Sequence, residues 1–152
     1  MIELVDSTVE HAQFLANHLR QEEILEVTAA SRLSIYDTIM SSINRSVEVQ
    51  TVLWDGDVIA IVGLQPHSVL SDKASPWLLT TEEVKRHPRE LLRLSRQFLE
   101  RWIQQYSLLE NYIDSRYEPS LRWARKVGFT VEEPQPYGPY GEFFNRIEIR
   151  RD

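Results

Sequence analysis

The chain contains no cysteine, which excludes a disulfide framework and any thiolate-bound metal. No apolar run approaches the roughly 20 residues that a membrane-crossing helix needs. The opening MIELVDST lacks the pattern of a secretory leader, so a cytoplasmic location is expected. Glycine is scarce, five in 152 residues with none between Gly63 and Gly128. A glycine-lined phosphate loop in the middle of the chain is therefore excluded. Internal repeats, linkers, low-complexity tails and a Gly-x-Ser-x-Gly elbow are also missing. What remains has the ordinary hydrophobic content of a globular protein, 42%, and reads as one domain over 1–152.

The net charge of −6 is uneven. Residues 1–80 hold 4 basic and 11 acidic side chains, whereas 81–152 hold 13 and 12. Within 85–105 six Lys/Arg face two Glu, a solvated helix face or a contact for an anionic ligand or acidic partner. Nucleic-acid binding by Arg89, Arg93 and Arg96 is not expected, because no aromatic and basic residues interleave on a strand.

Hydrophobic spacing sets the elements. Ile2–Val5 reads as a strand, and Ser7-Thr-Val-Glu10 as a capping box opening a helix. Helical pieces follow over 22–31 and from Ser34 to Ile43. Val47–Trp54 and Val58–Leu64 read as a hairpin turning at Asp55-Gly56-Asp57. After a loop at 65–75, Trp77-Leu78-Leu79 forms a strand, and a long helix spans Pro88–Tyr106 with Arg89, Arg93 and Arg96 opposite its apolar side. His11 and His18 share a helix face at seven-residue spacing, which is not a ligand spacing, and His67 and His87 fall in loops, so no metal is expected.

The stretch Leu109–Phe129 is the most telling. Tyr112 and Ile113 are strand formers, and Pro119 fits a first helical turn. Leu121, Trp123, Ala124 and Val127 recur at helical spacing, and Gly128 supplies a left-handed helix end. A strand at 129–132, a proline-bearing loop at 133–141 and a strand at 142–150 complete the chain. This strand–helix–Gly-Phe unit resembles the C-terminal half of the GNAT acyltransferase superfamily. The resemblance implies an α/β (α+β) single-domain GNAT-like fold, with a mixed, mostly antiparallel sheet flanked by helices in the order β-α-α-β-β-β-α-β-α-β-β. It also implies a V-shaped groove where the two central strands part.

The same resemblance implies acetyl-CoA as the cofactor and assigns roles. Leu78, Leu79 and Thr80 would offer strand-edge hydrogen bonds to the pantetheine. Lys85, Arg86 and Arg89 would meet the phosphates, since the segment Leu79–Arg89 has no glycine and Pro88 lacks an amide. Glu82 or Glu83 would be the general base, or else merely caps a helix start. Ser120 fits the family's Ala/Ser position. Ala124 stands where the family carries its acidic tyrosine, leaving Tyr117 as the candidate acid or as a packing aromatic.

Ser75–Ser95 followed by Leu109-Glu-Asn-Tyr-Ile-Asp114 is similar to a narrower group, phage proteins related to the internal virion protein A of short-tailed phages. The pattern Leu19-Arg-Gln-x-x-x-x-Glu26-Val27 extends that likeness to the N-terminal region. That resemblance implies a virion or cytoplasmic host-cell location, virion proteins as partners, and a role in virion assembly or as an interaction module without ordinary acetyltransferase activity. The alternative is an active N-acetyltransferase using acetyl-CoA with a non-standard pyrophosphate grip.

Overall fold

The computed structural model describes residues 1–152. Seven strands form one sheet in the order β1-β2-β3-β4-β5-β7-β6: β1 Ile2–Asp6, β2 Glu48–Trp54, β3 Asp57–Pro66, β4 Lys73–Thr80, β5 Leu108–Asp114, β6 Thr130–Tyr137 and β7 Glu142–Arg150. Helices α1 (Val9–His18), α2 (Gln21–Ala30) and α3 (Ile35–Arg45) separate β1 from β2. Helix α4 (Pro88–Gln105) links β4 to β5, and α5 (Glu118–Val127) links β5 to β6. The order is the one that the GNAT resemblance implies, with the N-terminal helical stretch divided into three. All strand pairs are antiparallel except β4 with β5.

The sheet buries both faces around β3. On one face Val62, Leu64, Leu109, Ile113 and Ile147 pack against Phe98, Leu99 and Trp102 of α4 and Leu121 and Ala124 of α5. On the other, Ile61, Val49 and Leu79 pack against Leu15, Leu19 and Ile39 of the N-terminal helical layer. The alternation of Ile61 and Val62 to opposite cores is the two-residue period of a strand covered on both sides. Helix α5 begins with Pro119 in its first turn and ends at Gly128, φ +116°. The amide of Phe129 closes on the carbonyl of Ala124 at 3.0 Å, which stops the helix and aims the chain into β6.

Three boundaries differ from the sequence reading. The cap of α1 is Thr8, whose hydroxyl accepts from the His11 amide at 3.1 Å, and His11 returns a bond to the Thr8 amide. Ser7 is drawn instead to Thr51, 2.8 Å away. The loop placed at 65–75 is shorter, because β4 already starts at Lys73. The loop placed at 133–141 is mostly strand, since β6 runs to Tyr137 through Pro134 and Pro136. Strand β6 is an edge, so a missing N–H there leaves no ladder bond unmade.

Candidate functional site

Strands β4 and β5 pair at only two positions, Lys73 with Leu108 and Ala74 with Leu109, and then part. The cause lies in β4. Thr81 donates to Ile59 on β3, so the odd-numbered residues face β3 and the even-numbered ones face β5. Pro76 is therefore the next residue due to donate toward β5, and it has no N–H. Its carbonyl is taken by the side-chain amide of Asn111 at 2.7 Å.

The gap beyond is a cleft of about 190 Å³, walled by Leu91, Ser95, Phe98 and Leu99 of α4, by Ser120 and Trp123 of α5, and by Tyr112 and Ile113 of β5. Arg20, Glu23 and Glu26 of the α1–α2 region also line it. The V-shaped groove expected from the resemblance is thus present.

Of the strand-edge residues expected there, Leu78 faces the cleft, because alternation places its N–H and C=O on the edge between Pro76 and Thr80. Leu79 is turned the other way, paired with Ile61. Thr80 faces the cleft side but is engaged. Its amide donates to Glu23 at 2.8 Å, its hydroxyl bonds the same carboxylate, and its carbonyl accepts from the Arg20 amide at 3.1 Å. Arg20 in turn holds Glu23 at 2.7 Å. These bonds fasten the start of α2 to the end of β4.

Glu26 lies one turn further along α2 and accepts from the Asp114 amide at 3.0 Å. Burial pushes its carboxyl up to about 7, and the neighbouring acids Glu23 and Asp114 add to the shift against that hydrogen bond. A carboxyl poised near neutrality at the edge of a cleft can take a proton. Three buried polar atoms have no hydrogen-bond partner: the indole N–H of Trp123, whose side chain lines the cleft, the hydroxyl of Tyr117, and Nε2 of His87. Burial also raises the Tyr117 phenol above its ordinary value. Tyr117 is the residue that starts α5.

The remaining expected residues, Ser120 apart, are not brought into the cleft. Residues Glu82–Arg86 form a short 3₁₀ turn, where Glu82 pairs with Lys85 at 2.5 Å and Glu83 lies 3.7 Å from Arg86. The Lys85 hydrogen bond holds the Glu82 carboxyl below its usual range, the wrong direction for a base. Arg89 is exposed on the outer face of α4 with Arg93 and Arg96, opposite the side that lines the cleft. Ser120 does line it, and Ala124 is fully buried inside α5.

The segment after β4 has few free amides for a diphosphate. The amides of Thr81, Glu83, Val84 and His87 are engaged within the protein, and Pro88 has none. The cleft itself is walled mainly by apolar side chains, with the Leu78 backbone on its edge.

Sequence reasoning missed Glu23, Glu26, Asn111 and Pro76. Glu26 stood in the quoted pattern Leu19-Arg-Gln-x-x-x-x-Glu26-Val27 without a role, and a proline midway along a strand was the available signal for the parting. No helix is long and apolar enough to cross a membrane.

No protein-family model and no curated protein matches the sequence. Solved structures do. Spermidine N-acetyltransferase from Vibrio cholerae, in complex with CoA and spermine, superposes with a TM-score of 0.70 at 14% identity over 98% of this chain and 95% of its own. Ribosomal-protein-alanine N-acetyltransferase from Brucella melitensis gives 0.71 at 13% identity over 98% and 99%. The PaiA N-acetyltransferase from Thermoplasma acidophilum, in complex with coenzyme A, gives 0.64 at 16% over 99% of each chain. These likenesses correct the expectation of a virion-assembly or interaction module without acetyltransferase activity. The three structures named are acetyltransferases, two of them holding CoA. At these identities what they show is architecture: from β1 to β7 this chain has the GNAT acyltransferase fold.

Proposed function

We propose that the protein is an N-acyltransferase that moves an acyl group, acetyl in the simplest case, from a pantetheine thioester such as acetyl-CoA to an amine. The observation that carries this reading is the parting of β4 and β5 after two residue pairs, around a cleft lined by Trp123 on one side and Glu26 on the other. The strong likeness to CoA-bound N-acetyltransferases supports it.

The residues divide the work. Leu78 and Trp123 bind and orient the donor arm, while the walls from Phe98, Leu99 and Ile113 exclude water. Glu26, ionised above about 7, takes a proton from the acceptor ammonium and exposes the nitrogen lone pair. The nitrogen bonds to the thioester carbonyl carbon and the C–S bond breaks. The second nitrogen proton balances the departing thiolate; Tyr117, outside the cleft lining, is not needed for this step. Glu82, Glu83, Lys85, Arg86 and Arg89 take no part in this version.

Calorimetric titration with acetyl-CoA tests it. Micromolar binding that weakens in Trp123→Ala is the expected result, and no heat up to millimolar ligand rules out CoA as the donor. Turnover is followed by thiol release, free of background because the chain has no cysteine.

A further inference from the structure

We propose that the acyl group is delivered by a small acidic carrier protein bearing an acyl 4′-phosphopantetheine thioester, docked on the outer face of α4. This rests on the acyl-transfer reading above and narrows its donor. The cleft has apolar walls and a strand edge for a pantetheine arm, whereas the segment after β4 has few free amides for a diphosphate. Four of its amides are engaged and Pro88 has none. Two of its three cations are paired, Lys85 with Glu82 and Glu22 and Arg86 with Glu83, and Arg89 is not. Coenzyme A carries a diphosphate and a ribose phosphate beyond its pantetheine. A carrier-borne arm carries a single phosphodiester and leaves the rest of the recognition to the protein that holds it.

The charge for that recognition is present. Arg89, Arg93 and Arg96 line a shallow exposed groove with Leu92, Gln97 and Glu100. None of the three arginines makes an ion pair, and Arg96 bonds only the Lys126 carbonyl, at 2.8 Å. Helices α4 and α5 together hold seven basic and three acidic side chains, whereas the rest of the chain holds ten and twenty. A basic ridge of this kind on an acidic protein attracts an acidic partner to one face and repels it from the others. The ridge begins in the first turn of α4, on the face opposite Leu91 and the cleft, so an arm from a partner seated there has to pass over that turn to enter. The bonds exchanged are those already given. The amine nitrogen replaces sulfur at the carbonyl carbon, and the carrier leaves with a free thiol.

The test compares two probes on the full chain, CoA and a bacterial acyl carrier protein in its phosphopantetheinyl form, each by calorimetry. The carrier is expected to bind more tightly as salt is lowered. Arg93→Glu should weaken the carrier about fivefold or more and leave CoA affinity within about twofold, while Arg93→Lys retains carrier binding. Binding of CoA without the carrier overturns the inference and spares the acyl-transfer reading. Equal weakening of both probes by Arg93→Glu also overturns it, since the arginine then serves CoA itself. Displacement of the carrier by duplex DNA at equal concentration overturns it in favour of a polyanion surface. If neither probe binds, the acyl-transfer reading falls and takes the inference with it.

Discussion

Asn111 donates its side-chain amide to the carbonyl of Pro76 at 2.7 Å, across the point where their two strands separate. The side-chain carbonyl of Asn111 meanwhile accepts from the Tyr112 amide at 2.8 Å. One side chain thus satisfies groups that a continued ladder would have paired. Replacing Asn111 by Leu leaves both unpaired at the apex of the cleft. The expected loss is about 1–3 kcal/mol of unfolding free energy, with weaker CoA binding. Urea denaturation and calorimetry check the two effects separately.

Glu26 gives the pH dependence its sign. Its carboxyl sits at about 7 in the folded protein against 4.5 as the ordinary value, so the base form fills as pH rises. The value of kcat/KM should climb with unit slope up to about pH 7 and then level, and Glu26→Gln should remove most of the activity.

Stability runs the opposite way. A folded value above the unfolded one favours the fold at low pH, and that favour is lost as pH rises through about 7, up to about 3 kcal/mol. Glu26→Gln should therefore be more stable than the parent at about pH 8 and near it at about pH 5. Thermal melts at the two pH values decide this.

Trp123→Phe keeps an aromatic ring but removes the N–H that has no partner and part of the indole's volume. If that N–H serves the ligand, stability should fall by no more than about 1–2 kcal/mol, while CoA affinity falls about tenfold. A variant that loses more stability than this together with affinity would show that the indole serves packing.

Gly63 lies beneath the indole of Trp77, and a Cβ there would sit 2.5 Å from ring carbons. Trp77 is also pinned by its N–H to Ser46 at 2.8 Å, so it has little freedom to yield. Gly63→Ala should cost about 1–3 kcal/mol. The strand that shifts is β4, so donor binding should weaken in the same variant.

Local chemistry made much of the fold legible. Pro119, Gly128 and Phe129 announce a helix start, a helix end and the turn into β6, because each acts through its own backbone. Prolines misled at 134 and 136, since only the position of β6 at the sheet edge makes them tolerable in a strand. The candidate site was less legible, because it is made by contacts between distant residues. Glu23 and Glu26 look like the solvated first turns of a surface helix until Thr80 and Asp114, 57 and 88 residues away, are placed against them. Glu82 and Glu83 stood at the right place along the chain, and the 3₁₀ turn folded them into local ion pairs. The arginine stripe was read correctly as the outer face of α4, which is what removes Arg89 from the cleft.

The two-pair contact between β4 and β5 makes the backbone of this protein a nearly divided thing. One half is the β1–β4 sheet with α1–α3 behind it. The other is the β5-β7-β6 sheet, and α4 braces the seam with its apolar side. A molecule seated between Leu78 and Trp123 touches both halves at once and so acts as a rivet across the seam. Occupancy should therefore slow hydrogen exchange on both flanks together, in the β4 amides and in those of α5, although neither flank is bonded to the other.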